Sequence, residues 1–147
     1  MKIHTWHRHG ISALILVAFG FLAAGSLNTS GSSSSSSKGA SATPDYTLTA
    51  VELWREYQAN EVAADSKYKG KTLLVSGEVV GIDKDFLDNA VLSLRTRNEF
   101  MSVKATLDDS QKSGAASLSK GSMVSLLCKG NGAILGSPTL KDCYMKK

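Results

Sequence analysis

The sequence predicts a small, mainly β domain: a five-stranded barrel with an amino-terminal amphipathic helix and a short helix between its third and fourth strands. Three observations carry this. Lys71 to Ile82 is a long Val- and Leu-rich strand interrupted by Gly77 and Gly81, as a strand must be to bend round a small barrel. The elements after it follow the order strand, strand, helix, strand, strand. The only two cysteines, Cys128 and Cys143, bracket the hairpin expected between the last two strands, with their midpoint at the Leu135-Gly136 step.

Thr49-Ala50-Val51-Glu52 satisfies the capping-box pattern, and Leu48 and Leu53 are spaced as a hydrophobic staple. A helix is expected from here to about Lys67, with Ala50, Leu53, Trp54, Tyr57, Glu61 and Ala64 on one face. Trp54 and Tyr57 read as packing residues on that face. Gly70 permits the turn into the long strand.

The loop Asp83 to Asn89 separates this strand from a short one, Ala90 to Leu94. Arg95 to Glu99 then turns into Phe100 to Leu107, whose Met101, Val103, Ala105 and Leu107 alternate with polar residues. Asp108-Asp109-Ser110 caps a short helix, Gln111 to Leu118, ended by Lys120-Gly121. Met123 to Lys129 and Thr139 to Met145 are the last strands, with Gly130 to Pro138 read as the loop between them. This order is that of the five-stranded OB fold.

The chain divides into residues 1–25, a signal peptide or membrane anchor; 26–44, a Ser/Gly-rich linker; and 45–147, the folded domain. Ile11 to Ala24 is an apolar run behind Lys2 and Arg8, the length of a signal-peptide core and short of a comfortable span; extended to Leu27, residues 11–27 reach the bottom of the spanning range. Both outcomes export the domain to the periplasm or cell envelope, with the membrane touched only through this segment. Leu22-Ala23-Ala24-Gly25 resembles a lipoprotein processing site, but Gly25 stands where the lipid-bearing cysteine would be. In an exported chain Cys128 and Cys143 read as a disulfide, in a cytosolic one as two buried thiols.

Three of the four net positive charges lie in residues 1–44, because residues 45–147 carry 14 Lys and Arg against 13 Asp and Glu. A nearly neutral domain argues against a duplex-binding surface, which draws its affinity from concentrated positive charge. All three histidines precede the apolar run, so the domain lacks the usual general base and the commonest zinc ligand. No enzymatic activity, cofactor or metal is therefore expected. Asp83, Asp85 and Asp88 with Asn89 lack the glycine and terminal glutamate of a dedicated calcium loop and read as a solvated loop that would repel phosphate.

The candidate ligand-binding residues are Phe86, Arg95, Arg97, Phe100 and Lys104, in and around the second and third strands, where OB folds commonly bind. Set against that, Arg95, Arg97 and Lys104 would serve as a solubilising edge and Phe100 as core.

The run Tyr57, Ala59-Asn60-Glu61, Ala63-Ala64-Asp65, Tyr68-Lys69-Gly70-Lys71, then Ser76-Gly77, Val79, Lys120-Gly121 and Leu140-Lys141-Asp142-Cys143 resembles the bacterial tRNA-anti-like OB-fold proteins, over nearly all of Tyr46 to Lys147. Many members of that family look like exported proteins or lipoproteins. The resemblance implies the fold and an envelope location rather than RNA binding. Tyr57, Asn60, Glu61, Asp65, Tyr68, Gly70 and Lys71 are expected to be structural, with Glu61 bracing the turn at Tyr68 to Lys71. The expected function is a non-enzymatic envelope binding module for a protein, glycan or small ligand; the alternative is a single-stranded nucleic-acid binder. An exposed Phe100 in one stripe with Arg95, Arg97 and Lys104 would favour the alternative.

Overall fold

The computed structural model describes residues 41–147, which fall within one compact unit. The leader, residues 1–25, and most of the linker expected over 26–44 lie outside the described residues. No described helix is long and apolar enough to cross a membrane.

Strand β1, Tyr46–Thr49, leads directly into helix α1, Ala50–Ala59, and then α2, Glu61–Tyr68. The capping box forms: Glu52 N donates to Thr49 Oγ1 at 3.2 Å, and Thr49 N donates to Glu52 Oε2 at 2.8 Å. The single helix expected to Lys67 is broken at Asn60, which leaves helical geometry (φ −164°, ψ 99°) and caps α2 by accepting from Ala63 N at 3.0 Å. The helical periodicity continues across the break, but an Asn side chain satisfies a new helix start as well as it satisfies a helix interior poorly. Glu61, placed by periodicity on the packed face, is exposed as a result.

The barrel strands are β2, Thr72–Lys84; β3, Ala90–Arg95; β4, Ser102–Leu107; β5, Met123–Ile134; and β6, Ser137–Lys146. A 3-10 turn at Asp109–Gln111 and helix α3, Lys112–Ala116, join β4 to β5. The sheet runs β2-β3-β4-β6-β5 and closes because β5 returns to pair antiparallel with β2, Thr72 to Glu78 against Lys129 to Met123. β4 and β6 pair in parallel, as the OB order requires. β2 serves both β5 and β3 by changing partners at a register shift between Val79 and Gly81, the bend foreseen at its glycines.

Two features were not expected from the sequence. β1 adds a parallel edge strand on β2, Tyr46 opposite Leu73 through Thr49 opposite Ser76. The region read as a loop over Gly130 to Pro138 is instead a continuous hairpin turning tightly at Leu135-Gly136, where both residues have positive φ (50° and 77°). Gly130 lies within a strand because the end of α2 passes directly over it; a side chain there would strike the Tyr68 carbonyl.

Leu73, Val75, Val79, Leu92, Leu94, Val103, Ala105, Leu126 and Leu140 fill the barrel, and Ala50, Leu53 and Tyr57 of α1 pack on it. Cys128 and Cys143 are buried and joined by a disulfide. Trp54 packs against this core, half-buried, with its indole N–H unpartnered among the described residues.

Candidate functional site

The outer face of β2, β3 and β4 holds a cavity of about 520 Å³. Its lining includes Arg95, Arg97, Phe100 and Lys104, so four of the five residues proposed from the sequence converge there. Strand alternation explains the convergence: Leu92 and Leu94 of β3 and Val103 and Ala105 of β4 point inward, leaving Ser93, Arg95 and Lys104 outward.

Phe100 does not belong to a strand. Asn98 Oδ1 accepts from Phe100 N at 2.8 Å, Asn98 N donates to Thr96 Oγ1 at 3.1 Å, and Thr96 Oγ1 donates to the Met101 carbonyl at 2.6 Å. This hydrogen-bonded turn fixes the backbone while leaving the Phe100 ring 94% exposed, so the core role set against binding is excluded.

The cations differ in availability. Arg95 forks onto Glu78 of the neighbouring strand, Nε and Nη2 donating at 2.9 and 3.0 Å. The guanidinium holds the Glu78 carboxyl below its usual range, and Glu78 in turn raises the arginine. Arg97 and Lys120 make no ion pair among the described residues, and Lys104 Nζ donates only to Ser93 Oγ, at 2.8 Å.

Of the acidic loop, Asp83 alone lines the cavity. Asp85 accepts from Leu87 N, Asn89 N and Asn89 Nδ2 at 2.8–3.0 Å, bonds that lower its pKa, those from Asn89 most. Asp88 pairs with Lys84 at 2.6 Å, which lowers its pKa likewise. Those two carboxylates shape the loop, and no group of His, Cys, Asp or Glu among the described residues is arranged to hold a metal. Phe86, also proposed from the sequence, stands 94% exposed at the tip of this loop and does not join the cavity. Sequence reasoning did not pick out Ser93 or Lys120 as site residues; Ser93 carries a usable signal, a polar residue between two apolar strand positions.

The motif residues form a brace. Tyr57 Oη donates to Asp65 Oδ1 at 3.0 Å, while Glu56 Oε2 accepts from Lys67 Nζ at 2.9 Å and Tyr68 Oη at 2.8 Å. Lys67 Nζ also lies 4.8 Å from the Tyr68 ring centre. Gly70, at φ +76°, donates its N–H to the Gly130 carbonyl. Glu61 takes no part: Glu56 and Asp65 do the bracing.

A closed five-stranded barrel with this strand order defines an OB-fold domain. The tRNA_anti-like family profile matches residues 2–144, and the chain belongs to that family. The match extends well beyond the resemblance read from Tyr46 onward. Among solved structures, a candidate nucleic acid-binding lipoprotein from Klebsiella pneumoniae subsp. pneumoniae MGH 78578 aligns with a TM-score of 0.55 and 20% identity, covering 69% of this chain and 91% of that one. A candidate aspartyl-tRNA synthetase from Leishmania major Friedlin aligns with a TM-score of 0.46 and 18% identity, over 67% of this chain and 20% of that one. No curated protein matches the chain.

Proposed function

We propose that the domain is an exported, non-enzymatic binding module whose β2-β3-β4 face takes a short single-stranded nucleic-acid segment. The observation that carries this is the pairing of a fully presented aromatic ring, Phe100, with Arg97, Lys104 and Lys120 around one cavity. Stacking on an aromatic flanked by cations is how OB domains hold single strands. The name of the Klebsiella relative agrees with this reading. Export is supported by the Cys128–Cys143 disulfide together with the apolar leader segment.

Fluorescence anisotropy with labelled dT12 and rU12 tests it. With three available cations, the logarithm of affinity should fall against the logarithm of salt with a slope of about −2. Phe100→Ala should cost about 1–3 kcal/mol of binding. A flat salt response, or a Phe100→Ala protein that binds unchanged, would refute the proposal. The second reading, a protein or glycan of the cell envelope as ligand, is favoured by the exposed Phe86 and Leu87 at the loop tip, and it predicts binding that survives high salt.

A further inference from the structure

The floor of the binding face is a row crossing three strands: Gly81 of β2 lies opposite Ser93 of β3, and Ser93 opposite Lys104 of β4. Gly81 contributes no side chain, and Ser93 is only 4% exposed, so the row is low between taller neighbours. Lys104 Nζ donates to Ser93 Oγ at 2.8 Å from one side. From the other, Asp83 Oδ2 comes within 3.1 Å of the point a Gly81 Cβ would occupy, a point also 3.1 Å from Ser93 Oγ. Asp83 makes no ion pair among the described residues, unlike Asp88 in the same loop.

An acceptor-only carboxylate beside Gly81 and a multi-donor ammonium on Ser93 thus stand at one row without forming an ion pair among the described residues. Lys104 has spent one of its three donors, and the carboxylate offers two oxygens. A base laid over Gly81 and Ser93 meets acceptors on its Asp83 side and donors on its Lys104 side.

We infer that this face discriminates among bases and prefers guanine. The inference rests on the nucleic-acid reading above and deepens it. The Watson–Crick edge of guanine presents two adjacent donors, N1–H and N2–H, followed by the O6 acceptor. The two donors match the Asp83 carboxylate in bidentate fashion, and O6 matches the Lys104 ammonium. Cytosine and adenine offer the carboxylate only their exocyclic amine. Uracil and thymine offer it one N–H and bring a carbonyl oxygen against it. Guanine alone pairs both carboxylate oxygens while presenting an acceptor to the ammonium, and hydrogen bonds to charged groups, bidentate ones above all, are the stronger kind. Arg97 and Lys120, outside this row, contact only phosphates, joined by Lys104 on a strand without guanine; such contacts position the strand but do not specify sequence.

The test uses the full-length protein and dT9 oligonucleotides in which only the central base is varied, so that no guanine quadruplex forms. The central-guanine oligonucleotide should bind about tenfold tighter than those with central thymine, adenine or cytosine, the discrimination of one bidentate contact. Asp83→Asn should erase the preference and strengthen dT9 binding, since thymine brings a carbonyl oxygen against the carboxylate. Gly81→Ala, which puts a methyl group where Asp83 and Ser93 now approach, should also reduce the preference. Arg97→Gln should weaken all four oligonucleotides alike. Equal binding of all four by the unaltered protein overturns the guanine assignment while leaving the nucleic-acid reading intact. A preference that persists in Asp83→Asn overturns it too. If no oligonucleotide binds at all, the nucleic-acid reading itself falls, and this inference falls with it.

Discussion

Tyr144 and Asp108 tie the carboxyl-terminal strand to the start of the β4–α3 connection. Asp108 Oδ1 accepts from Ser110 N and Ser110 Oγ at 3.0 and 2.6 Å, and Oδ2 accepts from Tyr144 Oη at 2.8 Å. These bonds, chiefly those from Ser110, favour the charged carboxylate and lower its pKa; the same contact pushes the Tyr144 phenol up. A carboxyl depressed in the folded state stabilises the fold above its unfolded pKa, and that contribution disappears as pH falls through the folded value. Tyr144→Phe should therefore lower the urea midpoint at pH 6–7 by an amount equivalent to about 1 kcal/mol. The difference between the two proteins should shrink as pH falls through the lowered folded-state pKa of Asp108, where the carboxyl becomes protonated in both states. At this scale the sequence revealed that Arg95 and Lys104 face outward, because side chains on a strand alternate. It did not reveal that Arg95 is committed to Glu78 while Arg97 and Lys120 are not, since that depends on which strand lies alongside.

The β5–β6 hairpin is the element on which sequence and structure diverge most. Gly130, Asn131, Gly132 and Pro138 are turn-forming residues, yet they continue the strands, and the chain reverses at Leu135-Gly136. Leu135 sits at φ 50°, a region costly for a branched aliphatic residue, and its side chain is 92% exposed, so its burial offsets little of that cost. Leu135→Asn should therefore raise stability by about 0.5–1 kcal/mol, measured by urea unfolding, because Asn tolerates this conformation and Asn-Gly is a preferred two-residue hairpin turn. Reduction of Cys128–Cys143 should act in the opposite direction. The bridge closes a loop of 15 residues, a constraint on the unfolded chain equivalent to about 3 kcal/mol. Urea midpoints with and without a reductant measure it. The pairing was foreseen because two cysteines equidistant from a reversal point meet across antiparallel strands, even though the reversal was read as a wide loop.

At the scale of the whole molecule, the barrel depends on β2 meeting β5. Leu126 of β5 lies opposite Val75 of β2 and is fully buried with Leu73 and Leu140. Leu126→Ala should cost about 2–5 kcal/mol through lost burial and the cavity left behind. For a domain of about 100 residues that is a large share of total stability. The thermal midpoint by circular dichroism should fall by more than 8 °C, taking about 4–8 °C per kcal/mol for a domain of this size. A smaller shift would mean that the seam between β2 and β5 is not tightly packed.

The sequence by itself determined the order of the barrel strands, the helix start at Thr49, the bend of β2 at its glycines and the outward positions of Arg95 and Lys104. Each follows from local rules: strand alternation, capping chemistry and glycine's backbone freedom act over a few neighbouring residues. Only the tertiary structure decided that Tyr46–Thr49 pairs with β2, that α1 and α2 part at Asn60, that Gly130 lies within a strand beneath α2, and that Gly81, Ser93 and Lys104 fall in one row across three strands. Those features join residues distant in the chain, and their free energy comes from contacts that exist only once the barrel has closed.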